Sequence, residues 1–168
     1  MAHVCSFPPL AAHNARLLIL GSMPGIASLD AQQYYAHPQN QFWKILGSVL
    51  GFDPAGSYAS RVQSVTEAGI AVWDVLESCV REGSLDTAID KTSAVPNDFI
   101  AFFASHPAIR RVCFNGTAAE SLFMRQVQPH LPLSLTLQYA RLPSTSPANA
   151  AIRLGDKLAV WSAALRQD

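Results

Sequence analysis

The chain has 168 residues, 49% of them hydrophobic and 14% charged, with twelve Lys and Arg against twelve Asp and Glu. That length suits one domain over residues 1–168 and is short for two, and the apolar content excludes a disordered or low-complexity chain, which could not offset its conformational entropy. Zero net charge excludes the pervasive positive field that drives non-specific polyanion binding and leaves room for a local basic patch. The charges are unevenly spread: residues 67–98 hold seven acids and two bases, whereas from Ala101 onward seven bases face Glu120, Asp156 and Asp168. Solvated surface is one reading of this asymmetry; an anion-facing surface built by the last third is the other. Cys5, Cys79 and Cys113 lack disulfide or zinc-ligand spacing, so a reducing, cytoplasmic setting without a metal centre is expected. No apolar run approaches the roughly 20 residues of a membrane span, and the N-terminal stretch lacks the features of a signal peptide.

In chain order, apolar runs at 16–20, 70–75, 109–114 and 133–139 predict strands, and amphipathic stretches at 41–50, 58–68, 96–105, 117–126 and 150–166 predict helices. The strands read as continuous apolar runs without alternation, as parallel strands buried on both faces do. Pro96 suits the first turn of the third helix. The expected fold is a three-layer α/β/α sandwich with a central four-stranded, mainly parallel sheet. Ligands on such sheets gather at the carboxyl ends of the strands, where three loops fall: Gly21–Gly25, Asn115–Thr117 and Arg141–Asn149.

Glycine and proline in Gly21-Ser22-Met23-Pro24-Gly25 suit either an ordinary turn or close approach of backbone to a ligand. The segment from Tyr34 to Trp43 concentrates aromatic rings, His37 and side-chain amides beside that loop; an aromatic face can stack on a planar base and an Asn can hold a base edge or a water. Phe42 and Trp43 read as core, Asn40 also suits a helix N-cap, and His37 before Pro38 also suits a turn. Asp74, ending the second strand, reads either as a pocket carboxylate or as a cap or ion-pair partner. The Ser144-Thr145-Ser146 run before the last helix suits a phosphate or simple capping, with Arg141 and Arg153 adding positive charge.

Gly21-Ser-Met-Pro-Gly25, followed sixteen residues on by His37-Pro-Gln-Asn-Gln-Phe-Trp43, resembles the two active-site motifs of the uracil-DNA glycosylase superfamily. The Gly-x-x-Pro-Gly loop is similar to that of the mismatch-specific uracil/thymine glycosylases. The fuller wording, with the Leu142–Asn149 stretch, is closer to the hypoxanthine-DNA (deoxyinosine) glycosylase branch. The resemblance implies a monofunctional enzyme without cofactor that hydrolyses the N-glycosidic bond of a deaminated base flipped out of double-stranded DNA. Hypoxanthine is the first candidate base and uracil the lesser, with single-stranded DNA as a secondary partner. It further implies catalytic work by Asn40, because Met23 stands where the mismatch-specific relatives carry a water-positioning Asn. Tyr35 would stack on the base, with Ser22, Met23, Pro24, His37 and Asn115 around it. Arg141, Pro143, Ser144, Thr145, Ser146 and Asn149 would hold DNA, with Arg153 and Lys157 near them, and Asp74 would stabilise the sugar cation or act as a base. Gln41 replaces the more usual Arg of the second motif. Two rivals are a nucleotide- or phosphate-binding hydrolase on the same strand ends and a catalytically inactive damage-binding module, which Met23 would mark.

Overall fold

Parallel strands covered on both faces need side chains that are apolar in both directions, and the central sheet is built from such segments. The computed structural model describes residues 2–166; Asp168, counted among the acids above, lies outside them. In chain order the elements are β1 (His3–Cys5), β2 (Leu17–Gly21), α1 (Ile26–Ala31), α2 (Phe42–Leu50), α3 (Tyr58–Glu67), β3 (Ile70–Asp74), β4 (Leu76–Arg81), β5 (Ile89–Pro96), α4 (Phe99–Ser105), β6 (Arg111–Asn115), α5 (Thr117–Gln126), β7 (Gln138–Leu142) and α6 (Leu154–Leu165). The four-stranded sheet has the order β3-β2-β6-β7 and every pairing in it is parallel. All residues of β2 and β3 are buried.

Aromatic side chains tie the helices into two groups over this sheet. Phe42 of α2 meets Trp161 of α6 at 6.1 Å, and Trp43 meets Tyr58 of α3 at 5.9 Å. On α4, Phe99 packs on Trp73 and on Phe123 of α5. Edge and tilted ring pairs at such separations add to the burial energy of large side chains. The expected α/β/α architecture with a four-stranded parallel sheet is the observed one. No helix among the described residues is long and apolar enough to cross a membrane.

Four local expectations are corrected. The last strand runs over Gln138–Leu142, not Leu133–Tyr139: Leu133 is fully exposed and Leu135 N turns back to Pro132 O, so the apolar run is a turn before the strand. Pro96 ends a strand instead of opening a helix, and α4 starts at Phe99, where Asp98 caps the Ala101 amide at 3.1 Å. Helix α6 begins at Leu154, four residues late, so the 143–149 loop does not lead straight into its N-terminus. Finally, β1, β4 and β5 form a second, antiparallel sheet in the order β1-β4-β5, and the short α1 follows the first loop; neither was expected. Register breaks between Leu76, Ser78 and Val80 interrupt the two-residue alternation by which β4 and β5 would be read as strands.

Candidate active site

The carboxyl ends of the four parallel strands converge on a cavity of about 430 Å³. Gly21 and Asp74 end neighbouring strands in direct register, and that pairing forms the floor. A Cβ at position 21 would stand 2.5 Å from Asp74 Oδ1 and 3.0 Å from Tyr35 Oη, so only glycine admits both groups. Asp74 is 4% exposed; its Oδ2 and the Tyr35 hydroxyl are buried without a hydrogen-bond partner. Burial, reinforced by Asp86 and opposed by Arg81, pushes the Asp74 carboxyl up to about 7. Burial and the neighbouring Asp74 also raise Tyr35 above the ordinary phenol range, so the phenol stays neutral.

Tyr35 adopts φ 54°, a left-handed conformation uncommon for a bulky residue, and stacks on Phe42 with ring centroids 3.9 Å apart and planes 21° from parallel. Phe42 thereby fixes the plane of the Tyr35 ring at the cavity wall. Tyr34, next to it, serves the core: its hydroxyl donates to Pro8 O at 2.9 Å, and its carbonyl accepts from Trp43 Nε1 at 2.9 Å.

Asn40 is half-buried at the same cavity. Its Oδ1 accepts from the Phe42 amide at 2.9 Å, a side-chain turn just before the Gln41 N-cap of α2, and no group among the described residues takes its Nδ2. The N-cap of α2 is Gln41, without a side-chain cap, so the N-cap reading of Asn40 is corrected: Asn40 stands one residue earlier and lines the cavity. His37 sits at the rim, exposed, with Nδ1 accepting from the Gln39 amide at 3.1 Å and its carbonyl from Asn40 N at 2.9 Å; it shapes the turn that presents Asn40.

Asn115, also lining the cavity, is committed. Its Nδ2 donates to Thr145 Oγ1 at 3.0 Å and its Oδ1 accepts from Thr145 N at 2.9 Å. Both halves of the amide thus staple the end of β6 to the 143–149 loop, where Thr145 is completely buried. The other hydroxyls there close local turns, Ser144 Oγ accepting from Ser146 N and Ser146 Oγ from Ala148 N, each at 3.2 Å. Asn149 Nδ2 donates to Ser144 O, and Pro143 O accepts from Trp161 Nε1. Arg141 lies on β7 and not in the loop; its side chain is 56% exposed and lies 3.6 Å from Glu120. The expectation that Lys157 belongs to the exposed basic face is corrected. Lys157 is 1% exposed, its Nζ donating to Gln41 Oε1 at 3.0 Å and to Asn149 O at 2.8 Å, which ties α6 to the second motif and to the last loop.

The first loop is buried through Ser22, Met23 and Pro24. Two residues that sequence reasoning missed govern it. Ser22 Oγ donates to the Asp86 carboxylate, and the buried Arg81 donates to Pro24 O at 2.6 Å. Residue 86 is exposed as a whole, yet its carboxyl is turned against Ser22, and burial raises it while Ser22 and Arg81 oppose the rise. The signal available was the Gly83-Ser84 turn between the Cys79-Val80 and Ile89 stretches.

The cavity thus offers a stacking ring, one uncommitted amide donor and a sealed carboxyl at the foot of a parallel sheet. Its wall reproduces the two loop motifs, and comparison with known proteins agrees. The model of the uracil DNA glycosylase superfamily matches residues 8–165. The chain belongs to this superfamily. Relatives of this member include a hypoxanthine DNA glycosylase of Methanosarcina barkeri, 40% identical over 111 residues (66% of this chain, 69% of the relative). Another, from Methanosarcina acetivorans, is 34% identical over 146 residues, covering 85% and 86% of the two chains. A solution NMR structure of a Methanosarcina acetivorans protein, assigned provisionally as a uracil DNA glycosylase, superposes with a TM-score of 0.79 at 31% identity over 98% of both chains. For this superfamily member, Gln41 in the second motif is paired with a buried lysine from α6 and is not a vacant position.

Proposed function

We propose that the protein is a monofunctional DNA glycosylase that hydrolyses the N-glycosidic bond of a deaminated base, hypoxanthine first and uracil second, in double-stranded DNA and leaves an abasic site. The observation that carries this reading is that Asn40, whose Nδ2 has no partner among the described residues, lines the same strand-end cavity as the Phe42-backed ring of Tyr35. The two hypoxanthine DNA glycosylases that are 34–40% identical to this chain support hypoxanthine as the base.

A base paired in a duplex is out of reach, so the nucleotide has to leave the stack, at a cost of a few kcal/mol that is least for mispaired bases. Its base then slides against Tyr35, whose ring cannot tilt because Phe42 backs it. Carbon–nitrogen cleavage builds positive charge on the sugar and negative charge on the departing base. Asn40 meets that change with Nδ2, either holding the attacking water or donating to the base, while its Oδ1 stays locked to the Phe42 amide and keeps the donor aimed. Ser22, Met23 and Pro24 supply the wall against the base edge, with Ser22 fixed by Asp86 and Pro24 by Arg81. Asp74 closes the floor; in its ionised form it opposes the sugar's positive charge through space. His37 and Asn115 position the walls. Arg141, Pro143, Ser144, Ser146 and Asn149 present the surface for the DNA backbone, Thr145 being its buried anchor. Lys157 is already occupied by protein acceptors, so few bases remain for phosphates and a shallow salt dependence of binding follows.

Duplexes carrying hypoxanthine, uracil, thymine or xanthine, assayed for abasic-site formation, test the reading. Release from hypoxanthine, weaker release from uracil and no borohydride-trappable covalent adduct are expected. Binding of every lesion without release would establish the inactive-module reading instead, and cleavage of free nucleosides alone the small-molecule hydrolase.

A further inference from the structure

Deamination inverts the hydrogen-bonding sense of a base edge: adenine presents a lone pair at N1 and an amino group at C6, hypoxanthine an N1–H and a carbonyl. An enzyme that removes the deaminated base and spares adenine needs a fixed acceptor for that N–H. A hydroxyl can turn to donate or to accept, so it discriminates only when its proton is held elsewhere. Ser22 is such a held hydroxyl. Its Oγ donates to the Asp86 carboxylate, which when ionised can only accept. The other serine and threonine side chains lining the cavity are used in the opposite sense. Among the described residues, Ser28 Oγ accepts from Ala36 N, Ser84 from Ile26 N, Ser144 from Ser146 N, Ser146 from Ala148 N and Thr145 from Asn115 Nδ2.

Both partners of the Ser22–Asp86 bond are anchored. Ser22 is buried and lines the cavity. Its carbonyl accepts from Leu76 N at 3.1 Å and that of Gly21 from Val75 N at 2.8 Å, which fixes the first loop against the junction of β3 and β4. Asp86 lines the same cavity from the loop joining β4 to β5. That loop is held by Ser84 Oγ, which accepts from the Ile26 amide at 2.9 Å, and by Arg81, whose Nε donates to Gly83 O at 2.8 Å and whose Nη2 donates to Pro24 O. With its proton kept on the carboxylate, Ser22 Oγ has only lone pairs left to offer a bound base.

We propose that Asp86 sets the polarity of Ser22, fixing its hydroxyl as an acceptor for the N1–H of hypoxanthine or the N3–H of uracil and as a repulsive neighbour for the N1 lone pair of adenine. The proposal rests on the glycosylase reading and gives that site a way to spare the undamaged base. A lone pair set against a lone pair leaves both without a partner in a closed site, so the penalty falls on adenine. Ser22 touches the base in this role; Asp86 acts through Ser22 and is a positioning residue.

The test reads affinity, not turnover. Duplexes carrying uncleavable 2′-fluoroarabino analogues of deoxyinosine or deoxyadenosine are titrated with the full chain at about pH 8, where carboxyls are ionised. The cost of extruding each base belongs to the duplex and cancels when wild type and variant are compared; any unfolded fraction lowers both affinities equally and cancels in their ratio. Wild type should bind the hypoxanthine duplex more tightly than the adenine duplex. Asp86→Ala frees the Ser22 proton, so the adenine duplex should bind better and the ratio of affinities should shrink about tenfold or more. In Ser22→Ala the ratio should shrink through weaker hypoxanthine binding, and adding Asp86→Ala to Ser22→Ala should change it by less than about twofold. A merely structural Asp86 would weaken both duplexes together and leave the ratio unchanged. That result, an absence of preference in wild type, or an Asp86 effect that persists undiminished without Ser22 would overturn the proposal. If wild type released no base from any duplex yet kept the ratio and its dependence on Asp86, the glycosylase reading would fail and the polarity assignment would stand.

Discussion

Asn40 and Asn115 line the same cavity, and each stands at the junction of a motif loop with a regular element, yet their amides are used in opposite ways. Asn115 engages both its Nδ2 and its Oδ1 with Thr145. Asn40 uses only its oxygen, on the Phe42 amide at the start of α2, and its Nδ2 has no partner among the described residues at the cavity it lines. Residue type and location are nearly shared; the hydrogen-bond inventory separates a staple from a working group. Buried polar groups are almost always satisfied, yet the Tyr35 hydroxyl and Asp74 Oδ2 are left open at this cavity, beside the unpaired Nδ2 of the half-buried Asn40. The same distinction divides the cations: Lys157 is sealed between two acceptors, while Arg141 is half in solvent.

The largest expected effect lies on the open side of that divide. Asn40→Ala should lower single-turnover base release about 100- to 1000-fold, as removal of one preorganised donor does, while the lost bond from the Phe42 amide to Oδ1 costs only about 1 kcal/mol in denaturant titration. A rate loss matched by wholesale unfolding would make Asn40 a staple as well.

The floor of the cavity gives the next effect, through pH. The Asp74 carboxyl is raised from the ordinary range near 3.8 to about 7 in the folded protein. Between those values the unfolded chain is ionised at this position and the folded one protonated, so folding stability falls as pH rises from about 4 to 7, by at most about 1.4 kcal/mol per pH unit. Asp86 is raised as well and Arg81 opposes both, while the neutral Tyr34 and Tyr35 adjoin the carboxyl. Asp74→Asn should flatten that decline in thermal denaturation measured across the window; parallel curves for the two proteins would show that Asp74 does not titrate there.

On the committed side the effects are on stability. Lys157→Met leaves Gln41 Oε1 and Asn149 O without their donor and should cost about 2 kcal/mol in chemical denaturation. A smaller loss, about 1 to 2 kcal/mol, is expected for Asn115→Ala, which orphans Thr145 N in a buried site. Its rate should drop less than tenfold at temperatures where it stays folded; a collapse of the rate with stability intact would put Asn115 in the chemistry.

The parallel sheet was legible because strands buried on both faces must be apolar throughout, as Leu17–Leu20 and Ile70–Trp73 are. The motif loops were legible because Gly21, Pro24 and Asn40 are residues whose chemistry acts locally. The β4–β5 hairpin was not. Its acids read as a solvated stretch and its register breaks hide the alternation, so Asp86 and Arg81 went unnoticed although both bond to the first motif. Lys157 was misplaced for a related reason: a lysine on an amphipathic helix ordinarily faces water, and its acceptor Gln41 lies 116 residues away in the chain. What depends on partners distant in sequence is visible only when the chain is folded.

The central claim is that the unpaired amide of Asn40, and not the paired one of Asn115, performs the chemistry. Single-turnover rates on one hypoxanthine duplex for wild type, Asn115→Ala and Asn40→Ala, taken below the melting range of all three, test it directly. The expected order is wild type, then Asn115→Ala within about tenfold, then Asn40→Ala at least about 100-fold down. A fully active Asn40→Ala beside an inactive Asn115→Ala would contradict it.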